Sequence, residues 1–328
     1  MENVHQSQLK YDIATIGECL IDFVPSPSQQ KNKINFSGCP GGSVANVLAC
    51  AAKLGLSTSF ITKLSTDVFG TFLSGILKDA GIGMSSVITT DQYPTTLAFV
   101  SLDNTGDRTF SFYRNQTADC MITPEELDLD MLCSCSIFHF STVSMSAEPS
   151  RSATVAAVRT AKENGATIAF DPNLRPPLWD NLDNAKAAME EGLALSRLVK
   201  ISDYELSFLT GTEDIPEGMK KLLRHFPIEL LVVTCGEKGS YCLHGDDLVS
   251  HKGYRVATID TTGAGDAFWG SFLYQLSIEK MDFSSLTPEK LTDMLRFSNA
   301  TGALTTTKHG AIPSLPTLNE IRQFMEKA

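Results

Sequence analysis

The run Asp260-Thr261-Thr262-Gly263-Ala264-Gly265-Asp266 is the most informative stretch of the sequence, because it stands directly before the apolar, helix-compatible residues 267–273. Small residues at the start of a helix leave backbone N–H groups free to surround an anion. The Asp266 carboxylate beside them could take a proton from an attacking hydroxyl. Together these features are the minimum equipment for transferring a phosphoryl group to a small molecule.

The spacing of this run alone does not distinguish an anion site from a helix start made flexible by glycine, and a dinucleotide-binding fingerprint is a further alternative. A dinucleotide fingerprint is disfavoured, because Phe268 occupies the position of its third glycine and the run lies late in the chain. The sequence also lacks G-x-x-x-x-G-K-[ST], which excludes a P-loop enzyme.

The composition limits the class of protein and its partners. The 328 residues are 42% hydrophobic and 20% charged, as in ordinary globular proteins, and the formal net charge is −11. A surface of that sign repels nucleic acid and anionic membrane, so we expect neither as a partner. Residues 1–6 show no apolar signal region, and no apolar stretch approaches the roughly 18 residues of a membrane span. Eight cysteines without a C-x-x-C pair indicate reduced thiols, which predicts a cytoplasmic protein without zinc or disulfides.

Strand-like and helix-like segments alternate almost throughout, which predicts an α/β fold with a mostly parallel sheet flanked by helices. The predicted strands are 12–17, 59–63, 136–140, 166–171, 198–202 and 229–235, and the predicted helices are 44–54, 149–164, 182–195, 265–276 and 288–305. Two stretches, about 21–36 and 95–114, instead contain β-type segments with polar turns, and the second is typical of a hairpin with its turn at 103–107. We interpret both as a small β-sheet lid, with an edge hairpin as the alternative, on a single domain spanning 1–328.

A second cluster of small residues, 38–46, opens the helix predicted at 44–54. Close packing of that helix on a strand would explain it, and so would backbone and Asn46 amide groups that meet the hydroxyls of a polyol. Asp22, after the first strand, could accept hydrogen bonds from the same ligand.

At this point the sequence resembles the ribokinase-like (phosphofructokinase B-type) carbohydrate kinases, and within them it is most like a fructokinase. Two signatures carry the resemblance, Gly41-Gly42-Ser43-Val44-Ala45-Asn46 and the run from Asp260 to Asp266. Marks of fructokinase type lie at 17–25, 112–119, 171–179, 202–205 and 302–313. The resemblance covers roughly residues 11 to 316. It implies the ribokinase-like fold and the phosphorylation of D-fructose to fructose 6-phosphate, with ATP and Mg²⁺ as cofactors.

The resemblance also implies roles for individual residues. Asp266 would be the general base, and the N–H groups of Gly263, Ala264, Gly265 and Asp266 would form the anion hole. The sugar would be held by Asp22, Gly41, Gly42, Asn46, Arg114, Arg175 and Asp266. The nucleotide would be held by Ser202, Thr234, Gly236, Gly239, Gly265 and Asn299. Glu205 would contact Mg²⁺ through water, although Ser202 stands where the family's acidic motif usually has Asn. A monovalent cation such as K⁺ would bind near Asp260, Thr262, Gly310 and Ser314.

Two alternatives stay open at this stage. A 2-keto-3-deoxygluconate kinase shares the Asp-x-Asn-x-Arg pattern and a lid arginine, which would pair with a sugar-acid carboxylate. Segments 21–25 and 305–313 favour the fructokinase. The other alternative is a sugar-binding regulator that kept the fold and lost catalysis, against which the intact 263–266 turn argues. The exposed lid could also pair with a second copy to form a homodimer.

Overall fold

The computed structural model describes residues 10–26, 32–102, 108–280 and 282–327, which form a large and a small sheet with flanking helices. The strands are β1 Tyr11–Ile16, β2 Leu20–Ser26, β3 Asn35–Gly41, β4 Thr58–Ser65, β5 Val87–Thr90, β6 Leu97–Leu102, β7 Arg108–Tyr113, β8 Cys135–Ser141, β9 Thr167–Asp171, β10 Leu198–Ser202, β11 Leu230–Thr234, β12 Ser240–His244 and β13 Asp247–His251. The helices are α1 Ser43–Lys53, α2 Val68–Asp79, α3 Leu129–Leu132, α4 Ser150–Glu163, α5 Leu182–Leu195, α6 Asp203–Thr210, α7 Ile215–His225, α8 Ala264–Ile278, α9 Pro288–Thr305 and α10 Leu318–Lys327.

The large sheet has nine strands over the described residues, in the order β13-β12-β11-β10-β9-β8-β1-β4-β5. Seven neighbouring strands of this sheet run parallel to one another: β11, β10, β9, β8, β1, β4 and β5. Strands β12 and β13 add an antiparallel hairpin at the β11 edge. Both faces of the sheet are covered, by α1, α8 and α9 on one side and by α4 and α7 on the other. Because helices cover both faces of the sheet, a strand such as Leu230–Thr234 is a continuous apolar run and does not alternate apolar with polar residues.

The predicted α/β class with a mostly parallel sheet is confirmed. Each predicted strand and helix overlaps an observed one, and the helices 182–195 and 288–305 match α5 and α9 at both ends. The sequence reading did not identify α2, α6, α7 and α10 or the β12–β13 hairpin. Helix α6 has only eight residues and a weak apolar pattern, whereas α7 and α10 are amphipathic, so their periodicity could have indicated them.

The small sheet has the strand order β3-β2-β6-β7, which confirms a small β element beside the main sheet. It covers more of the first insert than predicted, because β3 continues to Gly41. Its two faces differ. Asp22, Ala98 and Phe112 stand in register on the face toward the main sheet, and Phe23 and Phe99 occupy the opposite face. The turn predicted at 103–107 lies outside the described residues, and the single domain over 1–328 remains a prediction.

Two negative findings concern the described residues. None of their helices combines the length and the apolar character that a bilayer crossing requires. All eight cysteines fall within the described part, and none of them forms a disulfide bond there. The cytoplasmic location remains a prediction.

Candidate active site

The carboxyl ends of the parallel strands and the inner face of the small sheet enclose a cavity of about 440 Å³. That volume lies in the range of about 300–1,000 Å³ that is typical of ligand sites. The cavity lies where the chain leaves β9, β10 and β11, as expected for an open α/β sheet. Its polar lining residues are Glu18, Asp22, Ser43, Asn46, Asp171, Asn173, Arg175, Lys200, Ser202, Glu205, Thr234, Thr261, Thr262 and Asp266.

The turn before α8 contributes the first set of donors to this cavity. Gly263 caps the helix with φ +77°, and a Cβ there would lie 2.5 Å from the Ala311 Cβ, so glycine is required. The Ala264 N–H donates to the Thr261 carbonyl at 3.3 Å. Within the described chain no protein acceptor faces the N–H groups of Gly263, Gly265 and Asp266. Three backbone donors at the positive end of α8 are therefore available to an anion.

Asp266 stands among these donors in a partly buried position. Asn46, on α1, donates its side-chain N–H to Asp266 Oδ2 at 2.8 Å. Burial raises the pKa of Asp266 to about 6, against the opposing effects of the Lys200 charge and the Asn46 hydrogen bond. A carboxyl group with this pKa is ionised at neutral pH and still basic enough to accept a proton, which suits a general base.

The opposite wall holds Asp22 and Arg175. A Cβ on Gly41 would overlap the Asp22 carboxylate, so glycine at 41 is what lets this carboxylate sit there. Burial raises the pKa of Asp22 to about 7, although the Arg175 charge acts in the other direction. Arg175 lines the cavity and donates to the Leu174 carbonyl at 3.2 Å. Gly42 lines the cavity between this wall and Asn46.

Four buried polar atoms that belong to lining residues have no hydrogen-bond partner within the described ranges of the chain: Glu18 Oε2, Asn46 Oδ1, Asp171 Oδ1 and Asn173 Nδ2. Glu18 is held in place through its other oxygen, which accepts from the Ser43 N–H and hydroxyl at 2.7 Å each. Buried polar groups are normally paired, because an unmade hydrogen bond costs about 1–3 kcal/mol. The lining is therefore suited to a ligand that carries several hydroxyl groups.

Arg114 takes a different position from the other predicted sugar contacts. Its buried guanidinium pairs with Asp119 at 2.8 Å and donates to Ser146 Oγ at 2.7 Å. It lines a neighbouring cavity of about 570 Å³, which shares Phe112 and Leu178 with the main one. Its charge is thus largely balanced by Asp119 before any ligand binds.

The predicted nucleotide residues fall into two groups. Ser202, Thr234 and Gly265 line the cavity, whereas Gly236, Gly239 and Asn299 do not. Asn299 donates to Ser240 Oγ at 2.9 Å, and so joins α9 to the β12–β13 hairpin.

The residues predicted for metals are also placed. Glu205 lines the cavity and caps α6: one oxygen accepts from Ser202 N–H and hydroxyl at 2.8 and 2.7 Å, and the other accepts from Leu174 N–H at 2.6 Å. The four residues predicted around a monovalent cation lie on two loops, 260–262 and 310–314, which hydrogen bonds connect. Asp260 accepts from Thr262 N–H at 2.9 Å and from Gly310 N–H at 3.0 Å, and Ser314 donates to the Gly310 carbonyl at 2.5 Å.

The lining residues to which sequence reasoning assigned no role include Glu18, Asp171, Asn173 and Lys200. Three of them lie in stretches quoted as family marks, and Lys200 was seen only as part of a strand. Lys200 and Asp171 form a buried ion pair at 2.8 Å across neighbouring strands. A charged residue inside the apolar strand 198–202 is the one signal that could have singled out Lys200, because unpaired charges are rarely buried.

Comparisons with known proteins agree with this geometry. The model of the protein family described as "pfkB family carbohydrate kinase" matches residues 10–318 of this chain. Fructokinase-2 of Solanum lycopersicum is 42% identical over 316 residues, which are 94% of this chain and 94% of that protein. The crystal structure of a fructokinase with bound ATP from Xylella fastidiosa has a TM-score of 0.88 at 32% identity, covering 97% of this chain and 99% of that one. A fructokinase double mutant from Vibrio cholerae O395, in fructose, ADP and potassium ion bound form, has a TM-score of 0.86 at 32% identity, covering 96% and 98%. The predicted ribokinase-like fold and family are confirmed, and the chain belongs to the pfkB family of carbohydrate kinases.

Proposed function

We propose that this chain is an ATP-dependent fructokinase, which transfers the γ-phosphoryl group of ATP to O6 of D-fructose and releases ADP. The observation that carries the proposal is the arrangement at the start of α8. There, a carboxylate with a pKa of about 6 stands beside three backbone N–H donors that have no acceptor in the described chain. The fructokinase relatives, at about 40% identity over most of the chain, support the choice of sugar.

In this mechanism Asp266 accepts the proton of the sugar hydroxyl as its oxygen forms a bond to the γ-phosphorus. The bond from phosphorus to the bridging oxygen of ADP breaks in the same displacement. The N–H groups of Gly263, Gly265 and Asp266 stabilise the charge on the transferring group, and the start of α8 orients them before the substrate arrives. Asn46 holds the Asp266 carboxylate in position through its 2.8 Å hydrogen bond. No covalent intermediate with the protein is required.

The residues present are compatible with the expected metal ions. Mg²⁺ usually binds through one or two carboxylates, water and substrate phosphates, and supplies positive charge to the phosphoryl oxygens. Glu205 is a lining carboxylate whose oxygens retain lone pairs for a metal-bound water. We propose the same Asp260, Thr262, Gly310 and Ser314 loops for a monovalent cation, whose bound charge would add to the field at the turn.

The balance of charge in the cavity favours a neutral sugar over a sugar acid. A carboxylate substrate would need a free cationic partner, but the Arg114 guanidinium is paired with Asp119. Arg175 interacts with the Asp22 carboxyl group: burial raises the pKa of Asp22, and the charge of Arg175 opposes that rise. D-Fructose needs hydrogen bonds rather than a counter-ion, and unpartnered Glu18, Asn46 and Asn173 atoms can supply them.

An assay of ADP release with saturating fructose, 2-keto-3-deoxygluconate, ribose and adenosine tests the proposal. We expect fructose to give the highest kcat/KM, and NMR of the product to place the phosphate on O6. A higher kcat/KM with 2-keto-3-deoxygluconate would favour the sugar-acid kinase. Sugar binding without ADP release from any of the four would favour the non-catalytic regulator.

We also propose a homodimer through the outer face of the small sheet. Phe23 stacks on Phe99 with ring centroids 4.9 Å apart, and Phe99 meets Tyr113 at 5.4 Å. This aromatic group continues to the surface, where Tyr113 is 66% exposed and Phe36, which contacts Phe99, is 39% exposed. A patch of this kind is a typical contact surface for another protein chain.

A further inference from the structure

Lys200 is a buried cation inside the candidate active site. It lies on β10, one residue beyond Val199, which pairs with Phe170 of β9. Its side chain projects from the same face of the sheet as Leu198, the face that α8 covers. The residue is 7% exposed and lines the cavity together with Asp266 and Glu205.

The charge of Lys200 is maintained by its surroundings. Burial alone would lower the pKa of Lys200, but the carboxylates of Asp171, Glu205 and Asp266 together raise it above its usual value. Asp171 accepts its hydrogen bond at 2.8 Å and is itself only 2% exposed on its side chain. The ammonium group is therefore a fixed positive charge, held by one carboxylate.

The position of this charge relative to the turn is the decisive observation. A Cβ built on Gly265 would lie 3.2 Å from Lys200 Nζ, so the ammonium group packs directly against the turn that carries the free N–H groups. An ammonium group has three N–H bonds, and Asp171 is its one acceptor in the part of the chain that the structure describes. Its remaining donors and those of the turn border the same cavity.

We propose that Lys200 is a catalytic residue that contacts the transferring phosphoryl group, and that Asp171 is the positioning residue that aims it. The proposal rests on the kinase function proposed above. In the displacement, the sugar oxygen bonds to the γ-phosphorus, the bond to the ADP oxygen breaks, and the sugar proton goes to Asp266. Lys200 neither gives nor takes a proton. Its charge offsets the negative charge on the equatorial phosphoryl oxygens, beside the backbone donors.

The competing explanation is that the Lys200–Asp171 pair only holds β9 and β10 together. Removing one member of a buried pair leaves an uncompensated charge, so a single variant such as Lys200→Met is destabilised for that reason alone. The double variant Lys200→Met with Asp171→Asn removes both charges and avoids this problem. The double variant Lys63→Met with Glu126→Gln is the matched control, because Lys63 is also buried on a strand and paired, to Glu126 at 2.6 Å, but lies outside the cavity.

The experiment measures steady-state kinetics and sugar affinity with the best sugar of the wild type, whichever sugar that is, so an error in the fructose assignment does not affect it. For the folded double variant we expect kcat to fall by about 10²–10³-fold, as for loss of one transition-state donor, with the dissociation constant of the sugar unchanged within about threefold. We also expect fluoroaluminate, a mimic of the transferring group, to strengthen ADP binding to the wild type but not to the double variant. The control variant Lys63→Met with Glu126→Gln should retain the wild-type kcat. A double variant with kcat within about threefold of the wild type would overturn the proposal.

Discussion

Replacing Asp266 by Asn should produce an enzyme that is inactive and more stable than the wild type. The two effects have a common cause, since the carboxylate that accepts the proton must ionise in a partly buried place. Asn has the shape of the protonated acid and carries no charge. In the wild type Asn46 donates a hydrogen bond to Asp266 Oδ2, and the amide oxygen of the substituted side chain can still accept it.

The size of the stabilisation follows from the pKa of Asp266. Burial raises this pKa from 3.8 to about 6. Between these pH values the folded protein holds a proton that the unfolded chain has lost, so the free energy of unfolding falls as the pH rises. Above pH 6 the full cost of ionisation is present, about 3 kcal/mol at about 1.4 kcal/mol per pKa unit. Asp266→Asn should therefore gain about 3 kcal/mol at pH 8 and about half of that at pH 5.

The gain is measurable by urea denaturation and by thermal unfolding. With an unfolding entropy of about 2.1 cal/mol/K per residue, 3 kcal/mol corresponds to an increase of about 4 °C in Tm for a chain of this length. Over the same preparations kcat should fall by about 10²–10⁴-fold, the usual contribution of a general base. Asp293→Asn, at an exposed position on α9, is the control and should change stability by less than about 0.5 kcal/mol. An unchanged kcat would refute the role of Asp266 as base, and a loss of stability at pH 8 would refute the burial argument.

Three further predictions concern the pH profile, the small sheet and the second cavity. In the wild type, kcat/KM should fall as the pH drops below about 7 and more steeply below about 6, because the pKa of Asp22 is about 7 and that of Asp266 about 6; a flat profile from pH 8 to 5 would contradict both assignments. Tyr113→Ser should shift a homodimer toward monomer in sedimentation analysis, and an unchanged dimer would exclude this face as its contact. Asp119→Asn should lower the free energy of unfolding by about 3–5 kcal/mol in urea, because it leaves the Arg114 charge buried without its partner; a loss below about 1 kcal/mol would show that the pair is not essential.

The sequence predicts the fold well where elements have strong local signals. Apolar runs such as Leu230–Thr234 are long enough to be recognised as buried strands, and α9 carries both Thr287 as its N-cap and Pro288 at its first position. The extent of the small sheet was harder to predict. Its strand β2 pairs in parallel with β6, whose partner residues lie 76 positions further along the chain, and no local pattern encodes such a pairing.

The site was predictable to the extent that its residues lie within one motif. Asp266 and the free N–H groups belong to one turn, whose chemistry follows from its own sequence. Lys200 and Asp171 are 29 positions apart, and their pairing depends on the register between β9 and β10, which only the structure supplies. The same holds for Arg114: a motif indicates an arginine near a sugar, whereas its partner Asp119 depends on the fold of the loop after β7.

The charges that line the cavity predict that ATP binding to this protein depends on a divalent cation. Among the described residues, five carboxyl side chains line the cavity against two cationic ones: Glu18, Asp22, Asp171, Glu205 and Asp266 against Arg175 and Lys200. The carboxylates therefore repel a nucleoside triphosphate that carries no metal ion. One uncompensated pair of negative charges about 8 Å apart costs about 2 kcal/mol at an effective dielectric constant of about 20. We expect EDTA to weaken ATP binding by about 30-fold or more, measured by calorimetry, and to leave the binding of uncharged fructose unchanged. Equal ATP affinity with and without Mg²⁺ would show that Lys200, Arg175 and the turn suffice to neutralise the phosphates.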